Sequence, residues 1–188
     1  MKIFAFGYRR YVGKDTAARF FIHHIHTFYN LTFQHVGFAD YFKDECFRLF
    51  GHLGLKAREY YEHHPHEKDL YILGLGRSAR DIWIKYSNSI REIYPNVWID
   101  NTFTNLSAQI ILVRDLRFQA EVDFLVRNGA VLICIDRDVT NLNETADSDL
   151  QNFTGWDYII DNNTSKNNLH EQVVAIIEKE VPECLITS

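Results

Sequence analysis

Cysteine is scarce and badly spaced for chemistry. Cys46, Cys134 and Cys184 are the only three, far apart and with no C-x-x-C pair, so neither a disulfide framework nor a zinc site is indicated and reduced thiols are expected. A basic surplus is also missing. Twenty lysines and arginines face 25 aspartates and glutamates, a net charge of −5, which excludes a protein that coats nucleic acid by neutralising many phosphates. No apolar run approaches the roughly 20 residues that cross a membrane, and no signal-peptide pattern precedes the strand that opens at Lys2. A cytoplasmic protein without membrane or nucleic-acid partners is therefore expected. On that expectation, N-x-S/T triplets such as Asn30-Leu31-Thr32 carry no meaning. No internal repeat or low-complexity segment breaks the chain, and its 188 residues suit one domain with a sizeable core.

What is present is an alternation of apolar strands and amphipathic helices. Ile3–Phe6 reads as a buried strand, followed by a glycine-gated basic loop and a helix over Lys14–Tyr29 with Ala17, Phe20, Phe21, Ile25 and Phe28 on one face. Phe33–Phe38 is a short strand and Ala39–Phe50 a helix, while Gly51 to Glu67 is less regular, punctuated by Gly51, Gly54 and Pro65. Ser78–Ile93 is a further amphipathic helix, with Ala79, Ile82, Trp83, Tyr86, Ile90 and Ile93 inward, Ser78 as N-cap and Asp81 at the third helical position. Gln109–Val113 is a continuous apolar strand ending on Arg114-Asp115-Leu116-Arg117; Phe118–Asn128 is a helix closed by Gly129. Ala130–Ile135 and Tyr158–Asp161 are strands, Arg137–Gly155 a polar, mobile loop, and Leu169–Glu180 a closing helix with Leu169, Val173, Ile176 and Ile177 inward. Strands apolar throughout and alternating with helices indicate an α/β fold, a parallel sheet of five strands with helices on both faces. Ligands in such sheets gather beyond the carboxyl ends of the strands.

The stretch Lys2–Arg19 has the plan of a phosphate-binding P-loop, G-x-x-x-x-G-K-S/T between a strand and a helix. Gly7 to Gly13 spans one residue more than that pattern, and Asp15 replaces the usual Ser or Thr after the lysine. Backbone N–H groups and the dipole at the helix start favour an anion there. Lys14 would reach the β- and γ-phosphates, Thr16 could hydrogen-bond a phosphate, and Asp15 offers an oxygen suited to Mg²⁺. Arg9 and Arg10 add positive charge. The plainer reading is a glycine turn that caps a helix.

Asp115 at the end of its strand resembles an acid that holds a magnesium water, with Arg117 beside it as a phosphate clamp. Alternatively, Asp115 caps the following helix and Arg117 pairs with Glu121 at i, i+4. Twelve arginines against eight lysines hint at bidentate anion recognition at a few points, although ordinary surface arginines account for most. Arg80 and Arg91 lie about three turns apart on nearly one helix face, with Arg77 flanking them, and could bind a substrate phosphate or be a solvated face. Arg137 could close over a nucleotide as a lid arginine. The run His63-His64-Pro65-His66 has no carboxylate or cysteine partner at metal-ligand spacing, and Gly74-Leu75-Gly76 reads as a turn.

With these residues placed, the sequence resembles the deoxynucleoside monophosphate kinases of bacteriophages. The resemblance rests on GKDT at Gly13–Thr16, FADYFK at Phe38–Lys43, and GRSARDIW with SIREIYPNVWI between Gly76 and Ile99. It continues in VRDLRFQAEVDFLVRNGAVLICIDR at Val113–Arg137 and in DYIIDNNTSKNNLHEQV, and so covers nearly the whole chain. It implies a single three-layer P-loop kinase domain, with a helical substrate-binding insertion over about 39–106 and a lid-like loop over about 137–156. The implied reaction moves the γ-phosphoryl of ATP to a deoxynucleoside monophosphate, with Mg²⁺, and serves DNA precursor synthesis; a homodimer is left open. Carried over, Gly7, Arg10, Gly13, Lys14, Asp15, Thr16 and Ala17 would serve ATP, with Asp15 and Asp115 toward the metal. Phe38, Lys43, Arg80, Arg91, Trp98, Asp115, Arg117 and Glu121 would serve the monophosphate. Lys14, Arg10, Arg80, Arg117 and Arg137 would neutralise the transferring group. Two rivals remain: a P-loop kinase for another small phosphate acceptor, of the phosphomevalonate kind, and a nucleotide-binding switch that transfers nothing. Against the switch stands the lack of an N/T-K-x-D guanine motif.

Overall fold

Ile3, Phe4, Ala5 and Phe6 are all buried, so the first strand (β1, Lys2–Gly7) has to be covered on both faces and bonded on both edges. The computed structural model describes residues 1–7, 12–104, 106–138 and 149–181. The chain divides into two compact units, Met1–Gly37 with Leu106–Ser188, and Phe38–Asn105.

In the first unit, β1 is followed by α1 (Lys14–Phe28) and β2 (Phe33–Val36). After residue 105 come β5 (Ile110–Leu116), α6 (Gln119–Arg127), β6 (Val131–Asp136), β7 (Tyr158–Asp161) and α7 (Lys166–Glu180). The five strands form one parallel sheet in the order β2-β5-β1-β6-β7, flanked by helices as a three-layer, P-loop-like α/β fold. Two crossovers run in opposite directions. The connection through α1 passes β5 to reach β2, and the connection through α6 passes β1 to reach β6. Right-handed crossovers then set α1 and α6 on opposite faces. On one face Phe4, Phe6, Leu112, Ile133, Ile135 and Ile160 pack with Ala17, Phe21 and Ile25 of α1 and with Leu169, Val173 and Ile177 of α7. Phe21 lies 4.8 Å from Phe4 and 6.2 Å from Phe6, ring centre to ring centre. Each such side chain, fully removed from water, contributes about 2–3 kcal/mol. Ile3, Ala5, Ile111, Val113, Leu132 and Cys134, pointing the other way by strand alternation, are buried too.

Register at the amino edge is held by two glutamines. The Gln34 side-chain oxygen accepts from the N–H groups of Ser107 and Ala108, both at 3.1 Å. Gln109 accepts from Thr32 N–H at 3.1 Å and donates its own N–H to Thr32 Oγ1 at 3.1 Å. These bonds align β2 with β5, and Lys2 N–H to Gln109 O at 2.8 Å aligns β1 with them.

The second unit contains α2 (Phe38–Phe50), α3 (Arg58–His63), a two-stranded hairpin of β3 (Tyr71–Ile72) and β4 (Arg77–Ser78), α4 (Ala79–Ile93) and α5 (Val97–Phe103). Its core is Phe42, Cys46, Leu55, Tyr61, Ile82, Trp83 and Trp98. Burial pushes the Cys46 thiol up to about 12, so this cysteine is a packing residue. Ser78 Oγ caps α4 by accepting from Asp81 N–H at 3.2 Å, as its sequence position predicts.

Several boundaries differ from the sequence reading. The polar run after Val113 belongs to β5 as far as Leu116. Phe28 and Ile93, expected inward, are 49 % and 81 % exposed, because each sits at the last helical position, past the packed turns. Tyr29, where the chain becomes extended, is buried instead of Phe28. Of the expected mobile loop, 139–148 lies outside the described residues, but the portion after it is tied down: Leu150 is buried and Asp149 Oδ2 accepts from Gln119 N–H at 2.7 Å.

Lys2 Nζ donates to Glu180 Oε2 at 2.7 Å and Tyr158 Oη to Glu180 Oε1 at 2.6 Å, joining β1, β7 and the end of α7. Donation by Lys2, then by Tyr158, holds the Glu180 carboxyl below its ordinary value. A depressed carboxyl pKa stabilises the fold above the unfolded value and loses that contribution as pH falls through the folded one. Glu180→Gln should therefore cost about 0.5–1 kcal/mol at pH 7, discounted for solvent screening. The difference from wild type should fade as the pH drops below about 4.5, read from urea midpoints across pH.

Candidate functional site

The carboxyl ends of β1, β5, β6 and β7 share one edge of the sheet, because all four strands are parallel. Gly7 ends β1, and 8–11, including Arg10, lie outside the described residues. A Cβ on Gly7 would come within 2.5 Å of the Trp156 ring and 3.2 Å of Leu116, so glycine is required by the approach of this indole. Trp156 is itself held edge-on by Phe153 at 5.0 Å.

The chain re-enters at Val12, which is buried, and turns at Gly13 with φ +104°, a left-handed conformation that favours glycine. Gly13 is the N-cap of α1, and no side chain caps this helix start among the described residues; its carbonyl accepts from Thr16 and Ala17 N–H at 3.0 Å each. Lys14 is only 8 % exposed although it begins a helix. Asp15 is exposed, Thr16 half-buried and Ala17 in the core. A left-handed turn, a helix N-terminus, a buried lysine and an exposed carboxylate thus follow one another from Gly13 to Asp15.

On β5 the pairing with β1 is irregular. Ala5 faces Val113 but Gly7 faces Leu116, so β5 spends three steps on two of β1. The bulge falls at Arg114 and Asp115, which turns these two side chains out of the regular alternation. Asp115 is half-buried, and its two carboxylate oxygens lie 3.1 Å from where a Cβ on Gly37 would be. Glu121 is 4 % exposed and accepts with Oε2 from the N–H groups of Arg117 at 2.9 Å and Phe118 at 3.1 Å. The sequence allowed an i, i+4 ion pair here; the bond formed goes instead to the Arg117 backbone, as half of a capping box. Glu121 therefore orients the segment that carries the half-buried Arg117, and Asp149 caps the next amide.

Arg137 follows β6 and is exposed. Beside it, a turn at Asp161–Asn163 is bonded in four directions. Asn162 N–H donates to Asp136 O at 2.8 Å, and Asp138 N–H to Asn163 Oδ1 at 2.7 Å. Gln172 of α7 pairs with both backbone groups of Asp161, accepting at 3.1 Å and donating at 2.8 Å. Asn162 Nδ2 donates to Val12 O at 2.7 Å. No local pattern marks the bonding roles of Asn162 and Asp149, because their partners lie 150 and 30 residues away.

In the second unit, the Arg80 guanidinium forks onto Asp69, with Nη2 to Oδ2 at 3.1 Å and a shorter bond from Nε to Oδ1. Arg77 pairs with Asp81 at 2.8 Å. Arg91 donates to Asn88 Oδ1 at 3.3 Å and Ser87 Oγ at 3.4 Å. Lys43 Nζ lies 5.4 Å over the Trp83 ring, a cation–π distance. Phe38 is buried near Phe103, and Trp98 is in the core with its indole N–H on Ser87 O at 3.2 Å. Arg58, which the sequence did not flag, joins α3 to α2 through Asp40 at 2.9 Å and Asp44 at 3.2 Å. His63 and His64 donate through Nδ1 to the carbonyls of Glu59 and Tyr60 at 2.8 and 2.9 Å.

Gly7→Ala should destabilise the protein by about 1–3 kcal/mol through overpacking. Trp156→Phe in the same chain, by removing the far ring, should recover most of that loss; a double-mutant cycle of urea midpoints checks the coupling.

The sequence matches no family model and no curated protein.

Proposed function

We propose that the chain is a P-loop kinase that transfers the γ-phosphoryl of ATP to a deoxynucleoside monophosphate. The observation that carries this reading is the end of β1. There the central parallel strand is followed along the chain by a left-handed Gly13, an α1 start with no side-chain cap among the described residues and a nearly buried Lys14, while the neighbouring strand β5 carries Asp115 near its own carboxyl end. Amides at a helix start and a lysine together suit a polyphosphate. The similarity to the phage kinases adds the acceptor, a nucleoside monophosphate.

The half-buried carboxylate of Asp115 and the exposed one of Asp15 are hard oxygen donors of the kind Mg²⁺ takes. One or two carboxylates suffice when phosphates and water complete the shell. Bound there, the metal would neutralise phosphate charge. Lys14 binds the β- and γ-phosphates through its ammonium. Arg117, held by the amide bonds to Glu121, offers its guanidinium to the charge on the transferring group. The attacking oxygen belongs to a phosphate that is already anionic near pH 7, so no strong general base is needed. Positioning and charge neutralisation carry the rate. In the second unit, Arg80 reaches a phosphate only by exchanging Asp69 for it, so its bidentate fork is a reserve of anion-binding geometry. Lys43, Arg91, Phe38 and Trp98 complete the monophosphate set by resemblance alone.

A coupled ADP-release assay with Mg-ATP across the deoxynucleoside and ribonucleoside monophosphates should give turnover with at least one deoxynucleotide. Lys14→Ala should lower that turnover by about 10³-fold or more, with an unchanged far-UV spectrum. Wild-type turnover in a folded Lys14→Ala protein would sink the assignment, and turnover with phosphomevalonate alone would move it to the rival acceptor.

A further inference from the structure

We propose that Asn162 is a positioning residue of the phosphate loop, holding it in the anion-binding conformation from the far end of the chain; this rests on reading Gly13–Thr16 as the polyphosphate site. The side-chain amide donates to Val12 O at 2.7 Å, and Val12 is the residue immediately before the left-handed Gly13. The same Nδ2 lies 2.4 Å from where a Cβ on Gly13 would be, so the amide occupies the space that glycine leaves open. An oxygen in that place would confront the Val12 carbonyl, which settles the orientation of the amide. Val12 is buried, and a buried acceptor left without its donor is costly. The bond pulls the Val12 carbonyl toward Asn162. In doing so it sets the peptide planes of Val12 and Gly13 that lead into the Lys14 and Asp15 amides.

Asn162 can do this because it is itself immobilised. Its N–H is bound to Asp136 O, and the neighbouring Asp161 backbone is clasped by Gln172. The turn also binds Asp138 N–H through Asn163, so the residue next to Arg137 hangs from the same turn. One turn after β7 thus supports the loop that carries Lys14 and the root of the segment that carries Arg137.

The test compares Asn162→Ala and Asn162→Asp with wild type in Mg-ATP binding by calorimetry at about pH 8, with far-UV circular dichroism as the check on folding. Asn162→Asp is nearly isosteric, but its ionised carboxylate sets oxygen against the Val12 carbonyl. Both variants should bind Mg-ATP about tenfold more weakly than wild type, and Asn162→Asp should bind no more tightly than Asn162→Ala. In turnover, the KM for ATP should rise more than the KM for the monophosphate. Variants that bind Mg-ATP as wild type does, or an Asn162→Asp that restores what Asn162→Ala loses, would overturn the proposal. Wild-type binding of Mg-ATP without phosphoryl transfer would refute the kinase reading only, and the binding comparison still decides the role of Asn162. No Mg-ATP binding by the wild type would overturn both.

Discussion

A strand hydrogen-bonded on both sides cannot slide, and β1 is held this way between β5 and β6. Everything at the carboxyl edge takes its position from that constraint. Gly7 ends the strand at a fixed height, opposite Leu116 and just past the bulge of β5 at Arg114 and Asp115, and α1 starts from a left-handed Gly13. The apolar pattern of Ile3–Phe6 suits the strand to the centre of the sheet, where both of its faces are covered.

Much of this was legible in the sequence, for a physical reason. Apolar runs such as AVLICI and helical periodicities such as that of α7 are local signals, and tertiary packing confirmed rather than replaced them. The Ser78 cap was readable because its acceptor and donor are three residues apart. The hairpin Tyr71–Ile72 with Arg77–Ser78 escaped because two-residue strands leave no alternation to detect. So did α5, whose seven residues follow Pro95 and span barely two turns. In the candidate site, Lys14 and Gly13 could be read from spacing, while the functions of Glu121, Asp149 and Asn162 could not. Each of the three binds a backbone group, and a backbone group has no letter in the sequence.

Acids recur as organisers of this chain. Glu121 and Asp149 cap the start of α6, Asp157 Oδ2 takes the Leu132 N–H at 2.7 Å at the start of β6, and Asp69, Asp81, Asp40 and Asp44 hold arginines. An acidic net charge and anion-binding chemistry are compatible on these terms. Many of the carboxylates are consumed locally by amides or guanidinium groups, and a site needs positive potential only where its own few cations stand.

The central position of β1 also bears on how the protein is made. β1 is synthesised well before its neighbours, which begin at Ile110 and Val131, and before Asn162, whose amide bonds the Val12 carbonyl. During synthesis an apolar strand must wait, unpaired, until most of the chain exists. Its non-local pairing makes slow folding and a need for shielding the natural costs of this topology. The turn into α1 at Gly13 is consequently synthesised well before the Asn162 amide that bonds the residue preceding it.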